Sequence, residues 1–201
     1  MLFTEDWFSN NIPVWSKELS HLKHKKINIL EIGTYEGRSA IWMLENILTH
    51  PDSKIYCVDI WSTKKIYKTF LKNIEPWKHK VIILKGYSNK LVRNLNCDKL
   101  DFIYIDGSHH SQNVLEDAVL SFPLLKKNGL LIFDDYTHNK EHDINCPKPG
   151  IDAFINIYAN QLQVLQSKWQ VIIKKRSIPI KNRPCYSEHF KEPNTIPQVY
   201  K

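Results

Sequence analysis

The chain has 201 residues, 42% hydrophobic and 24% charged, which is enough for a single domain around one substantial core. No stretch approaches the ~20 uninterrupted apolar residues needed to span a bilayer, and Met1 to Trp15 lacks a basic n-region. A soluble, cytoplasmic protein without a signal peptide is therefore expected. The net charge of +7 reads first as a lysine-rich solvated surface and second as a preference for anionic partners such as sugar nucleotides or nucleic acid.

In chain order, Trp7–Leu22 reads as an aromatic, amphipathic helix with Pro13 near its first turn. Short apolar runs then alternate with longer amphipathic segments. The runs are Ile27–Ile32, Lys54–Ile60, Val81–Leu84, Phe102–Ile105 and Leu130–Phe133, all rich in β-branched or aromatic residues. Between them, helices are expected over Arg38–Leu48, Thr63–Trp77, Asn89–Leu95 and Ser111–Lys126, the last kinked at Pro123. A polar loop, Tyr136–Gly150, leads to a helix over about Ile151–Leu165 and a sixth strand near Gln170–Lys175. The proline-bearing tail from Ser177 is unassigned.

Strands alternating with helices imply an α/β fold, a Rossmann-like doubly wound and mostly parallel sheet with an extra N-terminal helix. The expected division is a helical cap over 1–26, a cofactor-binding core over 27–136, and a substrate loop, last helix, last strand and tail over 137–201, all in one domain. Cys57, Cys97, Cys146 and Cys185 are widely spaced without a CxxC pair and read as reduced thiols.

Ligands of doubly wound sheets bind at the carboxyl ends of the strands. Those ends read Glu31-Ile32-Gly33, Asp59-Ile60-Trp61, Gly86-Tyr87-Ser88, Asp106-Gly107-Ser108-His109-His110 and Asp134-Asp135-Tyr136. An acid or a glycine stands at every one. The first turn is not GxGxxG, because Gly33 and Gly37 are separated by Thr34, Tyr35 and Glu36. An acidic strand end followed by a glycine turn suits S-adenosylmethionine (SAM), which has no phosphate, better than a dinucleotide. Asp59 stands where an acid binding ribose hydroxyls belongs; a surface acid is the alternative.

The runs LEIGTYEGRSA, VDIW, KGYS and YIDGSHHSQNVLEDAVLSFPLLKKNGLLIFDDY resemble the class I SAM-dependent methyltransferases. They are most similar to the small O-methyltransferase-like family whose members methylate sugars and natural products. The resemblance runs from about Ile27 to Tyr136. It implies a SAM site made from Glu31, Gly33, Thr34, Tyr35, Glu36, Gly37, Ser39, Asp59, Trp61 and Ser88, closed by Asp106. Relatives commonly hold a divalent metal, Mg²⁺ or another, on positions that here are Asp106, Asp134 and Asp135. Two departures stand out: Tyr87 replaces an acid that many relatives carry before the serine, and Ser108 stands where a catalytic acid is often found.

His109 or His110 could take over as general base, with Asp106 beside them, although either histidine could equally be structural. His138, His142 and Cys146 share a spacing of four, but the intervening residues favour a substrate-covering loop over a zinc site. Trp7, Phe8 and Trp15 read as a packed helix before they read as a pocket cap. The function implied is SAM-dependent O-methylation of a small polyhydroxyl acceptor, a sugar or sugar nucleotide, assisted by a metal. Alternatives are a nucleic-acid or small-phenol methyltransferase, a nucleotide-binding oxidoreductase, or a non-catalytic partner of the same fold. The expected partner is a small-molecule carbohydrate; nucleic acid is disfavoured because no basic-aromatic stripe occurs. No membrane is expected, and a homo-oligomer is compatible with the sequence.

Overall fold

In a computed structural model, which describes residues 1–137 and 145–177, the short apolar runs do become strands. They are β1 (Asn28–Ile32), β2 (Lys54–Asp59), β3 (Val81–Lys85), β4 (Leu100–Ile105), β5 (Leu125–Phe133), β6 (Leu162–Ser167) and β7 (Val171–Lys175). They form one seven-stranded sheet in the order β3-β2-β1-β4-β5-β7-β6. The first five are parallel; β7 runs antiparallel to β5 and β6 antiparallel to β7. Central β1 is buried along its whole length, as a strand covered on both faces must be.

Side chains alternate between the two faces. Ile29, Ile55, Phe102, Tyr104 and Ile132 join one core layer, with α1 (Ile12–Leu19), α2 (Arg38–Asn46) and α3 (Lys64–Ile74) above it. Leu30, Ile32, Ile103, Ile105 and Phe133 join the other, against α4 (Ser88–Arg93), α5 (Ser111–Ser121) and α6 (Lys148–Ile157). Trp15 of α1 is fully buried, edge-on to Phe102 and Tyr104 with ring centroids 5.4 and 4.7 Å apart. The N-terminal aromatics are thus mostly packed core, and exposed Trp7 is the exception.

Several expected boundaries shift. The helix expected over Ile151–Leu165 stops at Ile157, and Leu162–Ser167 is a strand. Leu162 and Leu165 fit a helical stripe, but Val164 pairs with Ile173 in the β6–β7 hairpin, and ladder pairing overrides the local pattern. The helix after Ser111 ends at Ser121 rather than kinking through to Lys126. Pro123 sits in a 3₁₀ turn, which removes it from the α-helical ladder, and Leu125 already begins β5. The long loop is also shorter than expected, because Lys148–Gly150 form the first turn of α6. His138 and His142, and with them the zinc reading, lie outside the described residues, as do Cys185 and the tail. Among the described residues Cys57 and Cys97 are free thiols, and no helix is long and apolar enough to cross a membrane.

Candidate active site

Parallel strands diverge from their neighbours at the carboxyl edge, and here they leave a cleft of about 1310 Å³. The ends of β1 to β5 line it with Gly33, Tyr35, Asp59, Ser88, Asp106, His109, Asp134 and Asp135. The N-terminal segment adds Trp7, Asn10, Asn11 and Val14, and the β6–β7 turn adds Lys168, Trp169 and Gln170.

Gly33 is obligatory. Its φ is +92°, and a Cβ there would lie 2.0 Å from the backbone oxygen of Asp106. Removing that methyl lets the β1 turn and β4 end pack backbone to backbone at the cleft floor. Asp59 builds the neighbouring wall: Oδ2 accepts from Tyr35 N at 2.8 Å and Oδ1 from Trp61 N at 2.6 Å. Those bonds hold both residues in the left-handed region, at φ +50° and +42°, a conformation that side chains oppose. Each carboxylate oxygen keeps a lone pair for a ligand hydroxyl.

Several expected cofactor residues lie beneath this wall, not on it. Glu31 is fully buried and accepts hydrogen bonds from Ser39 Oγ and, at 2.9 Å, from Thr34 Oγ1. Burial lifts its carboxyl to about 7 despite those donors. Glu36 is buried facing away from the cleft, receiving Thr4 N at 2.7 Å and Thr4 Oγ1 at 3.1 Å, so it latches the N-terminal strap. Gly37, at φ +85°, starts α2 beneath the ring of Phe70. Trp61 stacks on Phe70 and donates its indole N–H to Tyr35 O at 2.8 Å, shaping the turn from behind. Glu31, Thr34, Glu36, Gly37, Ser39 and Trp61 thus lie behind the cleft lining, whereas Gly33, Tyr35, Asp59, Ser88 and Asp106 reach it.

At the other end the hydroxyl of Tyr104 bridges two carboxylates, lying 2.9 Å from Asp106 Oδ2 and closer still to Asp134 Oδ2. Gln170 Nε2 donates to Asp134 at 2.9 Å, and Trp15 Nε1 donates to Gln170 Oε1 at 2.8 Å. The chain from α1 to the cleft is buried throughout. Burial, and after it the charges of Asp134 and Asp135, push Asp106 well above the carboxylate range; burial also raises Asp134, against the pull of Tyr104 and Gln170. His109 Nε2 lies 2.8 Å from Asp135 Oδ2, and that bond raises the imidazole.

His110 is not in this cleft. Its Nδ1 lies 3.1 Å from Asn145 Oδ1 beside a smaller cavity, so of the two histidines His109 alone is placed for chemistry there. Asp106, Asp134 and Asp135 all line the cleft, yet among the described residues no three His, Cys, Asp or Glu side chains converge as a metal-ligand set. Their oxygens are turned to Tyr104, Gln170 and His109 instead. The sequence offered a faint signal for Tyr104, a hydroxyl in a run otherwise apolar on both faces, and none for Gln170.

A parallel sheet in this order, with an acid at the second strand end and a cluster of acids beyond the fourth and fifth, defines a methyltransferase-type domain. The chain belongs to the methyltransferase-domain family, whose model matches residues 30–136. It is 24% identical over 115 residues to O-methyltransferase ankF of Aspergillus thermomutatus, 55% of this chain and 46% of that protein. The chain spans about half the length of the curated relatives it matches. Among solved structures it resembles the O-methyltransferase of Bacillus cereus in complex with S-adenosylhomocysteine, at 20% identity and TM-score 0.68 over 88% of this chain and 84% of that one. It also resembles MycE methyltransferase of the mycinamycin pathway in complex with Mg and S-adenosylhomocysteine, at 14% identity and TM-score 0.61 over 92% and 55%. At such identities the likeness establishes the fold.

Proposed function

We propose that this protein is a SAM-dependent O-methyltransferase acting on a hydroxyl of a small polyhydroxyl acceptor, a sugar or sugar nucleotide, with a divalent cation assisting. The observation that carries the reading is a single cleft with Asp59 on one side, His109, Asp134 and Asp135 on the other, and Gly33 packed on Asp106 at its floor. Gly33 lets the β1 turn pack on the Asp106 backbone to form the floor, and the spare lone pairs of Asp59 suit the two ribose hydroxyls of SAM. SAM, when bound, supplies an electrophilic methyl group on a sulfonium.

His109 is the base in this reading. Asp135 Oδ2 lies 2.8 Å from Nε2 and holds the ring at the cleft, where an imidazole has the pKa range to take the proton of an acceptor hydroxyl. The amides of Asn10 and Asn11 on the N-terminal wall offer both donors and acceptors, as a polyhydroxyl ligand requires. The three aspartates are the oxygen donors a hard cation takes and they crowd adjacent strand ends, where their mutual charge raises Asp106 after burial; to hold an ion together they would have to turn from Tyr104, Gln170 and His109. A cation bound by Asp106, Asp134 and Asp135 would polarise the acceptor hydroxyl and lower its pKa.

The test combines calorimetry with transfer of labelled methyl from SAM to a panel of sugars, sugar nucleotides, catechols and oligonucleotides, with Mg²⁺ or with EDTA. Saturable S-adenosylhomocysteine binding is expected, weakened by ~1.5–3 kcal/mol in Asp59→Ala, the range for hydrogen bonds to a charged acceptor. Label in a sugar, lost with EDTA and restored by Mg²⁺, supports the full reading. Full transfer in EDTA removes the cation, label only in catechols or oligonucleotides moves the acceptor class, and NADH binding without S-adenosylhomocysteine binding overturns the assignment.

A further inference from the structure

We propose that the sheet edge formed by α3, β3 and α4 binds single-stranded nucleic acid, along a stripe of lysines that leads to Tyr87. This surface does not depend on the cofactor or acceptor reading, since β3 and the acids of β5 stand on opposite sides of β1 in the sheet. The argument starts from where the charge lies. Residues 60–97 hold nine of the 28 Lys and Arg but only one of the 21 Asp and Glu, Glu75. That one segment therefore carries a surplus of eight positive charges, and the rest of the chain is nearly neutral.

Three of the nine cations are engaged within the fold. Lys78 pairs with Glu75, Arg93 lies 3.3 Å from Glu116, and buried Lys80 donates to the carbonyls of Leu48 and His50. Lys64, Lys65, Lys68, Lys72, Lys85 and Lys90 remain, all exposed and in none of the ion pairs among the described residues. Lys64, Lys68 and Lys72 recur at every fourth position of α3, so they form one stripe with steps of about 6 Å. That is inside the ~8 Å Debye length at physiological ionic strength, so their potentials add. Lys64 and Lys65 also stand in the first turn of α3, which holds no acid and where the helix dipole is already positive.

The β2–β3 ladder pairs Asp59 with Lys85, which brings the turn after β3 beside the chain that leads into α3. Lys85 Nζ lies 4.1 Å from the ring centroid of Tyr67, and Lys90 Nζ lies 6.0 Å from that of Tyr87. Tyr87 is 67% exposed, an open aromatic face set among cations. A single strand supplies both partners this surface calls for, phosphates for the lysines and an unpaired base for the ring. An acidic protein supplies the charge alone. The stripe is assembled from α3 and from the turn after β3, so reading along the chain does not show it.

The experiment titrates the full chain into fluorescein-labelled oligouridylate and oligothymidylate of about 20 nucleotides, followed by anisotropy at about 50 to 200 mM KCl. Saturable binding to either strand is expected, and the tighter of the two names the kind of strand. Log affinity should fall against log salt with a slope of about −4, from six contacts at ~0.7 each. Lys64→Gln, Lys68→Gln and Lys72→Gln together should bring the slope to about −2. Tyr87→Ala should weaken binding by about fivefold or more at an unchanged slope, because stacking releases no counterion. Lys23→Gln, Lys26→Gln and Lys127→Gln, which remove equal charge from other exposed positions, should leave the slope as it was. Melting temperatures check that every variant is folded. Absence of binding at the lowest salt overturns the proposal, as does a slope that the α3 variants leave unchanged or that the other three lysines lower equally. Polyglutamate that displaces the label as well as unlabelled strand does, with Tyr87→Ala silent, also overturns it and assigns the edge to an acidic protein.

Discussion

Replacing Glu31 by glutamine tests the account of the cleft's foundation. The carboxyl moves from an ordinary 4.5 to about 7, chiefly through burial with the side chain 0% exposed. The folded protein thus holds this proton up to about pH 7, whereas the unfolded chain releases it near 4.5. The stability gained from the protonated group is complete below 4.5 and drains away as pH climbs toward 7. At 1.36 kcal/mol per pH unit the loss amounts to roughly 3 kcal/mol. Glutamine copies the shape of the protonated acid and has no proton to lose, and the Ser39 and Thr34 hydroxyls can rotate to suit its amide. Parent and Glu31→Gln should therefore match near pH 4.5, diverge between 5 and 7, and differ by roughly 3 kcal/mol in favour of the variant at pH 8. Urea unfolding followed by tryptophan fluorescence at half-unit pH steps gives both curves. Curves that stay parallel across the range would refute the argument, since burial would then not be holding the proton.

Gly33→Ala should give no soluble folded protein, because the methyl would meet the Asp106 backbone at 2.0 Å; a loss above about 4 kcal/mol is the scale of such core clashes. Gly37→Ala, facing the Phe70 side chain at 3.0 Å rather than backbone, should cost less, about 1–2 kcal/mol for its left-handed backbone and a small shift of that buried ring. Equal melting temperatures for the two variants would contradict the difference in what each methyl meets. Glu36→Ala should release the strap that Thr4 anchors, seen as faster proteolytic cleavage before Ser9 with the core intact. Unchanged cleavage there would mean the latch is held by the Asn73 bonds to Leu2 alone.

The strands were legible because a parallel strand buried on both faces must be an apolar run, as INILEI and FIYI are. The strand-end acids were legible because the fold rule says where ligands sit before any side chain is placed. What escaped depended on partners far along the chain. Glu36 resembles a cofactor ligand until the strap, thirty-two residues earlier at Thr4, takes both its oxygens. Leu162–Ser167 resembles a helix until Val171–Lys175 pairs with it. Gln170 and Tyr104 are ordinary residues in sequence, and their meaning comes from meeting at Asp134.

Central β1 pairs on one side with β2 and on the other with β4, where Ile29 meets Phe102. During synthesis one edge of this wholly buried strand must wait for a partner about seventy residues downstream. At roughly 5–20 residues per second that is a wait of roughly 4–15 s with an apolar, unpaired edge open to other chains. The cleft floor, where Gly33 packs on Asp106, cannot exist until the wait ends. Nascent chains are thus most prone to stick together, and most in need of chaperones, before Leu100–Ile105 arrives.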